Sequence, residues 1–77
     1  MTFKRFNTAT DFLEDFMGLK RGESMTYHVG LILEDRGKSE HVNNIAKIAW
    51  RMYERGEATL VQRRLERDTC AYIAQRV

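Results

Sequence analysis

Residues 38–56, KSEHVNNIAKIAWRMYERG, are the longest stretch of this chain with a single clear period. Val42, Ile45, Ile48, Ala49 and Met52 recur at steps of three and four, which gathers them on one side of a 3.6-residue helix. Ser39 is a natural N-cap, since its hydroxyl can accept from an amide that the first turn leaves unpartnered, and Glu40 follows at the positive helix end. Gly56 ends the pattern. The beginning of this helix presents His41, Asn43, Asn44 and Lys47, side chains able to meet a polar partner. Trp50 stands off the apolar stripe beside Ala46, Lys47 and Tyr53. Either it packs on the N-terminal segment through Phe3 or Phe6, or with Tyr53 it is an exposed aromatic anchor for a protein partner or a second copy.

After Gly56 the period changes. Residues 58–65 and 69–77 read as two strands separated by the polar set Glu66, Arg67 and Asp68, hence a β-hairpin whose turn type is open because Asn-Gly and Asp-Gly are absent. Toward the N-terminus, Thr8 is a good N-cap for a helix in which Ala9, Phe12, Leu13, Phe16 and Met17 share a face. Gly18 or Gly22 ends that helix, and Asp11, Glu14 and Asp15 form its solvated side. Residues 1–6 read as a short strand or a lead-in that lays Phe3 and Phe6 on the core. Met25, Tyr27 and Val29 alternate with Thr26 and His28, a strand that Gly30 interrupts. Residues 31–36 fit either a strand extension or a short helix, with the helix preferred and a turn at Arg36, Gly37 and Lys38. The expected architecture is α+β, one domain over residues 1–77, with helices on one face of a three-stranded antiparallel sheet.

Seventy-seven residues, 43% hydrophobic and 31% charged, suit an ordinary folded domain with a core small enough to gain from a homodimer or partner. No apolar run approaches the roughly 20 residues a bilayer requires, and no apolar segment follows Lys4 and Arg5 as in a secretory signal. Cys70 is the single cysteine and reads as a small core residue, in keeping with a reducing cytoplasm. Net charge is +2 and unevenly spread: five Lys/Arg face six Asp/Glu in residues 1–37, and eight face five in residues 38–77. His28, His41 and Cys70 lack metal-ligand spacing, the five glycines are too scattered for a phosphate loop, and no nucleophile–base pair stands out. The chain is therefore read as a non-enzyme without cofactor or metal.

Helix, strand, short helix, long helix and hairpin is the element order of a winged-helix (helix-turn-helix) domain. Residues 25–28 resemble its first strand, 42–55 its third helix, and 57–65 with 69–76 its wing. The passage from Ile48 through Gly56 to Arg63 and Arg64 looks like the helix end, glycine and arginine-bearing strand of such domains. The ending Tyr72-Ile73-Ala74-Gln75-Arg76 also resembles small uncharacterised proteins carried by phages and prophages.

The winged-helix resemblance implies a regulatory, double-stranded-DNA-binding protein, active in transcription regulation in the cytoplasm, a host's if viral, that uses helix 39–55 and hairpin 58–76. Carried onto this chain, Lys38, Ser39, His41, Asn43, Asn44 and Lys47 would face the major groove, with Asn43 and Asn44 suited to adenine. Arg51, Arg63, Arg64 and Arg67 would contact phosphates. The alternative is an inhibitor or adaptor of phage origin that docks through Trp50 and Tyr53 on a host complex, RNA polymerase or a defence system such as CRISPR, without binding DNA.

Overall fold

The computed structural model describes residues 8–77, so the expected strand or lead-in at 1–6 lies outside the described residues. Helix α1, Ala9–Met17, starts where Thr8 Oγ1 accepts from the Asp11 amide at 3.1 Å. Its fully buried residues, Phe12 and Phe16, are one turn apart. No basic residue occupies its last turn. Instead Arg76, at the far end of the chain, donates to the Phe16 and Met17 carbonyls at 3.3 and 3.2 Å, and its guanidinium lies 5.6 Å from the Phe16 ring centroid. The cation thereby meets the negative end of the helix.

Strands β1 (Ser24–Gly30), β2 (Ala58–Glu66) and β3 (Thr69–Arg76) form one antiparallel sheet in the order β1-β3-β2. The pairing of β1 with β3 shifts between Thr26 and His28. That irregularity turns two consecutive side chains, Tyr27 and His28, toward the same side of the sheet as Tyr72, whose ring lies near both. The strict alternation read over residues 25–29 is therefore broken at one position. The hairpin turn is shorter than the polar triplet suggested: β2 runs through Glu66, leaving only Arg67 and Asp68 between the strands. Neither takes a positive φ, so the primed two-residue turns are excluded, and the register shifts between Arg64 and Glu66.

Residues 32–38 are helical: α2, Ile32–Lys38, continues through the expected turn at Gly37, and Ser39 alone makes the corner into α3, Glu40–Glu54. Ser39 Oγ accepts from the Val42 amide at 3.3 Å. The end of α3 is a Schellman closure, in which Gly56 at φ 75° lets the Glu57 amide reach Met52 O and the Gly56 amide reach Tyr53 O. On this stripe Ile45, Ala49 and Met52 are buried against Phe12, Phe16, Tyr27, Ala58, Cys70, Tyr72 and Ala74. Cys70 is thus a core residue, and Gln62 Nε2 lies 3.3 Å from its sulfur.

Gly30 has φ 142°, and a Cβ there would come within 2.5 Å of Asp35 Oδ2. Gly37 lies inside α2, and a Cβ there would meet nothing within 4 Å. The two glycines should therefore respond with opposite sign. Gly30→Ala should cost about 2 kcal/mol or more through backbone strain and displacement of Asp35. Gly37→Ala should stabilise by up to about 1 kcal/mol through helix propensity. Urea midpoints of the two variants against wild type check both signs.

Candidate recognition surface

Helix α2 is short, buries no residue fully and has no side-chain cap of its own. Its position comes from the sheet. The Tyr72 hydroxyl accepts from the Ile32 amide at 3.2 Å, supplying from β3 the cap that Leu31 cannot. His28 Nε2 and Asp35 Oδ2 are 2.7 Å apart, joining β1 to the middle of α2. The His28 hydrogen bond, and then the charge of the imidazole, hold the Asp35 carboxyl below its ordinary value of 3.8. Burial, reinforced by Tyr72, pushes the Tyr27 phenol up to about 12, so it stays neutral beneath this junction.

Against α2, helix α3 presents an outward ridge. Glu40, Asn44, Lys47 and Arg51 follow one another at steps of four, three and four, and all are exposed. Toward α2 the helix presents Asn43, whose Oδ1 accepts from Arg36 Nε at 2.9 Å, and then Trp50. Trp50 is 55% exposed and its ring centroid lies 5.1 Å from that of Tyr53. Between α2, α3 and β2 runs a groove of about 840 Å³, its walls including Ile32, Ala46, Trp50, Leu60 and Tyr72.

Along β2 and the turn every residue from Val61 to Asp68 is exposed, whereas the β3 residues paired with Gln62, Arg63 and Arg64, namely Tyr72, Ala71 and Cys70, are buried. Arg63 pairs with Ala71 and Arg64 with Cys70, and the period of two sends the adjacent arginines to opposite faces. Arg64 donates to the Arg67 carbonyl at 2.8 Å, across the turn. The tip holds three arginines against Glu66 and Asp68.

These positions divide the residues singled out in the sequence. Asn44, Lys47 and Arg51 share the α3 ridge, while Arg63, Arg64 and Arg67 share the exposed stretch of β2 and its turn. Lys38 is the last residue of α2 rather than part of the long helix, and the Ser39 hydroxyl is engaged as a cap. His41 is half-buried, and Asn43 is tied to Arg36. Trp50 lines the groove, and Tyr53 packs beside its ring. The residues that position α2, namely His28, Asp35 and Tyr72, carried no sequence signal, because their contacts join segments 7 and 40 residues apart.

Among the described residues no group of three His, Cys, Asp or Glu side chains is arranged to hold a metal, and no helix is long and apolar enough to cross a membrane. Comparison of the chain with protein-family models, with curated proteins and with solved structures gives no match.

The depressed Asp35 carboxyl sets a sign for pH dependence. A carboxyl that releases its proton more readily when folded stabilises the fold above the unfolded value, and that contribution disappears as pH falls through the folded value. The gap in urea midpoint between wild type and Asp35→Asn should therefore be widest above the ordinary carboxylate range and close as the solution is acidified below it. A gap that is flat with pH would remove the pair from this role.

Proposed function

We propose that this chain is a small regulatory DNA-binding protein of the winged-helix kind, with α3 in the major groove and the hairpin along the backbone. The observation that carries the reading is the exposed arginine-bearing stretch of β2 and its turn, together with a helix whose Asn44, Lys47 and Arg51 form an exposed ridge. The element order and a sheet in which the last strand lies between the other two support it. Among the described residues Lys47, Arg51, Arg63 and Arg67 have no ion-pair partner, so their charge is available to phosphates. Asn44, exposed and next to Lys47, is the base-reading residue on this assignment; Asn43, held by Arg36, orients the helix pair.

The opposing reading, a protein adaptor without DNA affinity, is favoured by the exposed Trp50–Tyr53 pair. Fluorescence anisotropy with labelled duplex over a salt series separates the two. DNA binding should weaken steeply with salt, and Arg63→Ala together with Arg67→Ala should lower the log–log slope by about 2, one unit per lost phosphate contact. Asn44→Ala should instead reduce discrimination between sequences by about 1–3 kcal/mol with the slope preserved. Absence of any duplex binding at low salt and micromolar protein would end the DNA reading.

A further inference from the structure

We propose that the α2–α3 face is a homodimer interface, covered by a second copy of this chain in a two-fold arrangement. Leu33 on α2 is 81% exposed, Trp50 is 55% exposed and Tyr53 is 49% exposed. The groove runs beside the first two. A two-fold interface brings one patch against itself, so the patch must carry both a projection and a recess. This face has both: Leu33 and Trp50 stand at the rim of a groove whose walls include Ile32 and Leu60.

The charges obey the same requirement. Glu34 and Glu54 line the groove with Lys47 and Arg51, and none of the four has an ion-pair partner among the described residues. Arg36, the remaining cation of the lining, is engaged with Asn43. Two acids and two cations on one patch can pair crosswise when the patch meets its own copy. A polyanion or a partner of single charge sign would instead confront like charge at half of these positions.

The area is also of the right order. Taking about 200 Å² for a large buried side chain, Leu33, Trp50 and Tyr53 together offer on the order of 400 Å² per protomer. A standard interface takes about 800 Å² from each partner, with an apolar centre and a charged rim. The three side chains supply the centre, and the four charged residues the rim. Trp50 and Arg51 project about 100° apart on α3, so the interface extends from the flank of the helix, where Trp50 stands, to the edge of the ridge at Lys47 and Arg51.

The test uses the chain's single tryptophan. Sedimentation equilibrium should give a mass near twice 9.1 kDa at micromolar concentration. Dilution should shift Trp50 emission to the red as the ring returns to water. Leu33→Glu should weaken association by about tenfold or more with an unchanged far-UV circular dichroism spectrum, because an exposed side chain contributes little to folding. A double variant Glu34→Lys, Glu54→Lys and a double variant Lys47→Glu, Arg51→Glu should each self-associate poorly and should form a heterodimer when mixed. A wild-type chain that sediments as a monomer at its highest soluble concentration would overturn the proposal. So would a dimer of undiminished affinity in Leu33→Glu. Leu33 belongs to neither the α3 ridge nor the hairpin, so these outcomes are independent of whether duplex DNA is bound.

Discussion

Strand β3 hydrogen-bonds along both of its edges, to β1 on one side and β2 on the other, although it is the last element of the chain. Without it the other two strands have no common partner, and the sheet has no centre. Its influence extends past the ladder. Its Tyr72 hydroxyl starts α2, its Arg76 side chain closes the end of α1, and its backbone ties Glu23 and Gly22 to Arg76. Three of its side chains, Cys70, Tyr72 and Ala74, face the helices as core. A two-stranded β1–β2 remnant could not replace these contacts, because pairing those strands directly would displace Tyr72 from both α2 and Tyr27. The helical layer is therefore positioned by β3 through contacts between residues 40 and 60 positions apart.

Local chemistry explains which parts of this arrangement could be read from the amino acids. Thr8 and Ser39 cap helices by contacts to residues three positions away, and Gly56 closes α3 within two residues, so each leaves a local signature. The buried side of α3 was legible for the same reason, since Ile45, Ala49 and Met52 obey one period. The Tyr27 irregularity was hidden because a strand read alone shows its period but not its partner's register. Residues 31–36 were ambiguous because α2 is capped by Tyr72 and latched by His28, neither of which a local pattern contains. At the candidate surface, a helical wheel separates Trp50 from the core stripe. It does not show that Asn43 faces Arg36, which depends on the angle between two helices joined by one residue.

The junction of His28, Asp35, Gly30 and Tyr72 links the fold to the surface. The absence of a side chain at Gly30 admits the Asp35 carboxylate, and the carboxylate accepts from His28. These contacts hold a helix that buries no residue fully, so α2 depends on polar geometry more than on apolar burial. That helix in turn forms one wall of the groove and fixes Asn43 through Arg36. A disturbance at the junction is therefore expected at the surface before it reaches the Phe12–Phe16 core, because α2 has the smaller buried anchor.

On the proposed readings, the two surfaces solve different halves of one physical problem. The cations that the DNA reading assigns to phosphates on one protomer are few, and Glu66 and Asp68 offset part of the hairpin's charge. Electrostatic contacts of that number give non-specific affinities of about 10⁻⁴–10⁻⁶ M at physiological salt. Arg63 and Arg64 add less than their adjacency suggests, since they point to opposite faces and Arg64 is spanned across the turn to Arg67 O. A second copy held through Leu33, Trp50 and Tyr53 would add the Arg63 and Arg67 of its own hairpin and make that second set of contacts intramolecular. Effective concentration, rather than a denser basic patch, would then raise the affinity. On these proposals the mixed charge around Trp50, with Glu34 and Glu54 beside Lys47 and Arg51, would serve self-recognition, and the hairpin arginines would serve the duplex.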